Sequence, residues 1–163
     1  MRFYFHIITD FNTMRLLKLT NVQSRKLSTS LSWQMKEGDS TSITRSISRE
    51  DLKAYGELVG DLNPIHFCEG DSDPIVHGTY LLGLVSGLMA SKLPGPGTVL
   101  TNIDASFLKP CPCPVSLEMC VILGKVRKVT TAQFSVKNVI NGDILVQGNV
   151  KCLLNKDQLN LKK

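Results

Sequence analysis

The chain reads as an α+β domain in which one long apolar helix lies against a curved antiparallel sheet. Three observations predict this. The run Val76–Leu93 is apolar and carries no formally charged residue between Ile75 and Ser91. Four segments with the period-2 alternation of half-buried strands follow it. A short extended stretch and an amphipathic helix precede it, so the element order is strand, helix, loop, long helix, four strands. At 163 residues the chain is large enough for one domain with its own core.

Gly38 to Ile47 is rich in Ser and Thr and alternates weakly, which suits a first strand or an extended lead-in. Ser48-Arg49-Glu50-Asp51 has the signature of a helix start, with Ser48 as cap and Asp51 in the first turn. Leu52, Tyr55, Leu58 and Val59 then fall at helical spacing, and Gly60 suits the C-terminal cap. A helix apolar on most sides is expected to be central and buried, with Gly83 and Gly87 letting strands approach it closely. It is too short and too interrupted for a membrane span, which needs about 20 apolar residues. Leu93-Pro94-Gly95-Pro96-Gly97 ends it. Strands are predicted over Val99–Phe107, Val115–Val126, Thr130–Ile140 and Ile144–Leu154, with Asn141-Gly142 as a hairpin turn. One helix wrapped by such a sheet is the hot-dog arrangement. Its open edge strand predicts a homodimer.

The net charge of +5 is unevenly placed. Residues 1–36 hold Arg2, Arg15, Lys18, Arg25, Lys26 and Lys36 against Asp10, while the remainder holds 13 basic and 13 acidic residues. A neutral body argues against a nucleic-acid surface. From Phe11 to Lys36 no acidic residue occurs, Arg, Lys, Ser and Thr are frequent, and Leu16, Leu17 and Leu19 flank Lys18. That composition predicts a mitochondrial targeting segment over 1–36, the domain over 37–155 and a polar tail over 156–163. A start at Met1 or at Met14 fits equally, and the final Leu161-Lys162-Lys163 is not a peroxisomal address. Five cysteines without regular pairs argue against a disulfide framework, and Cys111-Pro112-Cys113 lacks the further ligands of a zinc set. Reduced thiols in a matrix-like compartment are expected. With no glycine-rich phosphate loop and no metal ligand set, no cofactor is expected.

The chemistry concentrates in one window. Leu58-Val59-Gly60-Asp61-Leu62-Asn63-Pro64-Ile65-His66 places a carboxylate and an imidazole five residues apart on a loop stiffened by a proline. Pro74-Ile75-Val76-His77-Gly78 then opens the long helix, so two of the three histidines lie here, and the third, His6, falls in the leader. An acid/base pair beside a glycine at a helix start is suited to moving water onto or off a polarised carbonyl compound. Taken singly, Asp61 and Asn63-Pro64 are ordinary turn residues, His66 and His77 are ordinary structural histidines, and Ser86 could bond back to the Leu82 carbonyl. Their joint occurrence in this order favours catalysis.

Tyr55-x-x-Leu58-x-Gly60-Asp61-x-Asn63-Pro64-Ile65-His66, followed by Pro74–Gly78 and Leu84–Leu88, resembles the motif of MaoC-like (R)-specific enoyl-thioester hydratases over roughly residues 40–153. With the leader, it is similar to the mitochondrial branch of hydroxyacyl-thioester dehydratases. The resemblance implies reversible dehydration of (R)-3-hydroxyacyl thioesters, carried on acyl carrier protein or CoA, in matrix fatty acid synthesis. It implies Asp61 on the water side, His66 on the C2 proton and the Gly78 N–H as oxyanion donor. It also implies Ser86 positioning Asp61 or the substrate, and Asn63 holding the loop. The segment between His66 and Gly78 is short for the family, so acyl-chain preference does not carry over; Val59 in place of a small polar residue is a minor departure. Lys125, Arg127 and Lys128 suit a solvated turn, the alternative being docking of an acidic carrier or of CoA phosphates. Rival readings are a hot-dog thioesterase and a non-catalytic acyl-binding module.

Overall fold

The computed structural model describes residues 35–68, 72–155 and 158. The predicted targeting segment lies outside them except for Met35 and Lys36. Those two belong to the domain: Met35 packs against the core, and the Lys36 N–H donates to the Asp39 carboxylate at 2.8 Å.

Eight elements follow in the expected order. They are β1 (Ser40–Ile47), α1 (Arg49–Val59), a 3-10 turn (Pro64–His66), α2 (Gly78–Ser91), β2 (Val99–Phe107), β3 (Val115–Leu123), β4 (Val129–Asn138) and β5 (Ile144–Leu153). The five strands form one antiparallel sheet in the order β1-β3-β4-β5-β2. This is the hot-dog fold.

Local chemistry explains α1. The Ser48 hydroxyl accepts the Asp51 N–H at 3.2 Å, and the Asp51 carboxylate accepts the Ser48 N–H at 2.9 Å. This reciprocal box satisfies two of the orphan donors at the helix start. Gly60 ends the helix in the left-handed region (φ 76°), where glycine has no Cβ penalty, and its N–H returns to the Gly56 carbonyl at 2.8 Å.

Helix α2 departs from expectation on one side. Leu81, Val85, Leu88 and Met89 are buried, each 3% exposed or less, in one core with Leu117, Met119, Val121, Phe134, Val136 and Val150 of the sheet. Thr79, Gly83, Gly87 and Ala90 line the opposite face and are exposed. A Cβ at Gly83 or Gly87 would meet nothing within 4 Å, so these glycines do not admit a strand. The sheet covers the helix from one side only. Each exposed glycine costs about 1 kcal/mol relative to alanine. Burial of the four large side chains, about 1.5–3 kcal/mol apiece, outweighs that.

The strands keep their predicted faces with one exception. Leu117, Met119, Val121 and Leu123 point inward from β3, and Ala132, Phe134 and Val136 from β4. On β5 both Leu145 and Val146 are buried, because the register against β4 slips between Val136 and Lys137. The bulge turns Leu145 inward, and its carbonyl accepts the Leu108 N–H at 2.8 Å. No helix among the described residues is long and apolar enough to cross a membrane.

Candidate active site

Asp61, His66 and Gly78 meet at the end of the sheet where β3 begins. Antiparallel backbone bonds hold them there: the Val76 N–H donates to the Cys111 carbonyl and the Cys113 N–H to the Pro74 carbonyl, both at 2.8 Å. Asn63 builds the loop between Asp61 and His66. Its side-chain oxygen accepts the Ile65 N–H at 3.3 Å and caps the 3-10 turn, and its carbonyl accepts the His66 N–H at 2.9 Å. Pro64 stands at the first position of that turn, where a missing N–H costs nothing. The Asp61 carboxylate accepts the Asn63 N–H through Oδ1 at 3.3 Å, which leaves Oδ2 facing His66.

The His66 ring is oriented by one strong contact. Its Nδ1 lies 2.6 Å from the Ile75 carbonyl oxygen. A carbonyl only accepts, so Nδ1 carries the proton and Nε2 is left free toward Asp61. Nε2 lies 3.7 Å from Asp61 Oδ2, too far for a direct hydrogen bond. One oxygen placed about 2.8 Å from each would subtend roughly 80°, so a single water or hydroxyl can serve both groups. The His66 side chain is 13% exposed and that of Asp61 48%, so the imidazole is the sheltered partner and the carboxylate the wet one.

Gly78 is the first residue of α2. Its N–H has no intramolecular acceptor among the described residues and belongs to the orphan donors of a helix start. A Cβ there would lie 2.7 Å from the Phe107 ring, so a larger residue fits only if that half-exposed ring shifts.

Two clefts meet at His66. One, about 330 Å³, is mostly apolar and is lined by Ile75, Val76, Gly78, Leu81 and Phe107. The other, about 630 Å³, opens beside Arg49, Lys53, Leu62, Phe67 and Cys68. A further concavity of about 390 Å³ on the outer face of the sheet, among Asp104, Gln133, Gln147 and Asn149, contains none of Asp61, His66 and Gly78.

Ser86 is not brought to the pair. It lies eight residues beyond Gly78, about 12 Å along the axis of α2, and makes no hydrogen bond to Asp61 or Leu82. The basic loop Lys125–Lys128 is also remote. It follows the far end of β3, about 27 Å along the strand from Val115. Cys111 lines the apolar cleft, yet burial, and then the neighbouring Cys113 thiol, push it up to about 12.

Sequence reasoning missed Gly56. A Cβ there would lie 2.5 Å from the Phe67 ring, 2.9 Å from the Asp61 carbonyl oxygen and 3.3 Å from His77 Nε2. A glycine inside a helix is a costly choice, and that cost was the available signal.

Donor atoms of Asp61, His66 and His77 lie within 4.8 Å of one another. The two imidazoles are stacked, with centroids 3.6 Å apart and planes at 20°. Their in-plane lone pairs therefore run side by side rather than converging as zinc ligands do.

A sheltered imidazole, a wet carboxylate and a free helix-start N–H on a hot-dog scaffold define the class of the hot-dog hydratases and dehydratases. The MaoC-like domain family matches residues 32–143, and the chain belongs to it. It is 26% identical over 127 residues to the (R)-specific enoyl-CoA hydratase of Rhodospirillum rubrum, covering 74% of this chain and 88% of that protein. It is 28% identical over 137 residues to a mitochondrial 3-hydroxyacyl-[acyl-carrier-protein] dehydratase of Arabidopsis thaliana, covering 77% and 81%. The solved (R)-hydratase of A. caviae superposes with a TM-score of 0.70 at 24% identity, covering 76% of this chain and 99% of that one.

Proposed function

We propose that the chain catalyses reversible dehydration of (R)-3-hydroxyacyl thioesters to trans-2-enoyl thioesters. The observation that carries the reading is the His66 Nε2–Asp61 Oδ2 gap of 3.7 Å beside the Gly78 N–H. In the dehydration direction, His66 Nε2 takes a proton from C2. The negative charge that develops on the thioester oxygen is met by the Gly78 N–H at the positive end of α2. The C3 hydroxyl, held in the gap, leaves as water with a proton from the Asp61 side. The proton taken from C2 equals the one given to the leaving group, so passage of one proton across the gap resets the pair. The apolar cleft takes the acyl chain, and the wider cleft beside Arg49 and Lys53 takes the carrier arm. Asn63 holds the loop, and Ser86, half-buried on the flank of α2, meets substrate rather than Asp61.

The carrier is acyl carrier protein and the setting is fatty acid synthesis in the mitochondrial matrix. The acid-free, basic stretch 11–36 and the likeness to the Arabidopsis dehydratase support this. A homodimer forms by addition of a second copy along the β2 edge. The half-exposed Val99 and Phe107 of that strand, and the small residues on the open face of α2, support this.

The test is enoyl-thioester absorbance with crotonyl-CoA and with the crotonyl carrier protein, on the full chain and on Asp61→Asn and His66→Ala. We expect loss of the band with formation of the (R)-3-hydroxybutyryl product, faster on the carrier. Each variant should lose 10³-fold or more, the order expected when a general acid/base group is removed together with its geometry. Release of free thiol would mark a thioesterase instead, and undiminished activity in either variant would refute the pair.

A further inference from the structure

We propose that His77 is the positioning residue that sets the geometry of both members of the acid/base pair; the inference rests on the reading of Asp61 and His66 as that pair. The His77 ring is 1% exposed and touches each part of the site. Its Nε2 lies 3.2 Å from the Asp61 backbone oxygen, and since that oxygen only accepts, Nε2 donates. This bond pins the loop at the residue that bears the carboxylate. The His66 ring stacks on its face at 3.6 Å between centroids. The Ile75 carbonyl alone would leave His66 free to swing about the Nδ1···O line. The stacked face of His77 removes that freedom and so directs Nε2 at Asp61. The His77 carbonyl accepts the Tyr80 and Leu81 N–H groups at 3.0 and 3.4 Å, so the same residue starts the helix whose first N–H belongs to Gly78.

The ring is itself locked in place. Tyr55 meets it edge-on at 5.2 Å and Phe67 at 6.1 Å, and Gly56 leaves the room in which Nε2 and the Asp61 carbonyl meet. His77 lines neither of the two clefts that meet at His66, and its Nδ1 is buried without a partner among the described residues. It therefore touches no substrate, and its effect passes through Asp61 and His66.

Two substitutions separate its two contacts. His77→Gln keeps an N–H reaching toward the Asp61 carbonyl and loses the stacking face. His77→Phe keeps the face and loses the donor. The core variant Val85→Ala serves as a control for lost stability alone, since Val85 is buried in α2 and touches neither residue of the pair by hydrogen bond or ring contact. On the full chain we expect kcat to fall about 10- to 100-fold in both His77 variants, the order of an ångström-scale misplacement. KM should stay within about threefold, because the clefts are untouched. The ¹⁵N spectrum of the His66 imidazole should show the Nδ1–H tautomer in both proteins, held by the Ile75 carbonyl, with the Nε2 resonance shifted and broadened in His77→Gln as the ring swings about that bond. Val85→Ala should keep kcat and the His66 spectrum while melting lower. If His77→Gln keeps kcat within twofold and the His66 spectrum of the parent, while Asp61→Asn and His66→Ala are inactive, the positioning role is wrong and the pair stands. If Val85→Ala loses kcat as the His77 variants do, His77 is only a core residue. Activity surviving in Asp61→Asn and His66→Ala would overturn the pair itself, and the positioning role with it.

Discussion

Replacing Gly56 with alanine sets two physical effects against each other, and the structure decides the sign for catalysis. Helix propensity alone favours alanine by about 1 kcal/mol inside a helix. At 2–4 °C per kcal/mol for a chain of this size, that is a rise in Tm of roughly 3 °C. The added methyl, however, would lie 2.5 Å from the Phe67 ring and 2.9 Å from the Asp61 carbonyl oxygen. Carbon contacts are relaxed only at about 3.5–4.0 Å. The Phe67 ring, half-buried at the end of the 3-10 turn, can yield. The Asp61 carbonyl is backbone and is tied to His77 Nε2 at 3.2 Å, so it yields only by lengthening that bond and carrying Asp61 away from His66. Overpacking of this kind costs about 1–3 kcal/mol, so after the propensity gain the net loss of stability is about 0–2 kcal/mol. A shift of Asp61 by several tenths of an ångström should cost roughly tenfold in kcat, given that a full ångström can cost about 10²-fold. The assay is steady-state hydration of crotonyl thioester beside a thermal melt. The expected signature is kcat down by about tenfold with Tm lowered by no more than about 8 °C. A variant that melts higher and turns over like the parent would refute the claim that Gly56 is kept for the approach of Asp61 and His77.

Two further outcomes follow from the site and its surroundings. With Cys111 pushed up to about 12 and Cys113 and Cys152 also raised by burial, alkylation at pH 8 should label Cys68 and Cys120 and spare those three. At pH 8 a thiol titrating near 12 is about one part in 10⁴ thiolate, and the raised direction means its reactivity grows only as pH rises well beyond that. Peptide mass spectrometry reads this, and early labelling of Cys111 would contradict the burial. Reversing the charge of Lys125, Arg127 and Lys128 together should leave the KM for the carrier-bound substrate within about twofold, because the loop lies about 27 Å along β3 from the site. Carrier titrations would check it, and a tenfold rise in KM would make that loop the docking surface.

What was legible in the sequence was local. Ser48 and Asp51 cap α1 as their spacing says, Gly60 ends it, and the inward faces of β3 and β4 follow strict alternation. These features depend on contacts a few residues apart, which pattern reasoning sees. The approach of Asp61 and His66 is local in the same way, since the four-residue stretch between them is shaped by Asn63 and Pro64. The burial of Leu145 was not legible, because a bulge against β4 breaks the alternation from outside β5. Nor were the contacts of Gly56 and His77. The Asp61–His77 bond joins residues 16 positions apart, and no periodicity reports it. The expectation for His77 was a structural one, and no sequence pattern reports its contacts with Asp61 and His66.

Helix α2 carries the same lesson into assembly. An apolar helix with little polar contrast reads as buried on all sides, yet here the sheet covers only the face of Leu81, Val85, Leu88 and Met89. The other face is built from Thr79, Gly83, Gly87 and Ala90, and a Cβ at either glycine would meet open space. Exposed glycines in a helix interior have no advantage for a lone chain, since alanine would be more stable at each by about 1 kcal/mol. Small residues spaced to form one flat face gain value when another surface approaches closely. The β2 edge beside that face carries half-exposed Val99 and Phe107, and Phe107 is also the residue packed against Gly78. A second copy joined along β2 would therefore cover apolar surface next to Gly78. In that arrangement, assembly and the shape of the acyl cleft are one problem rather than two.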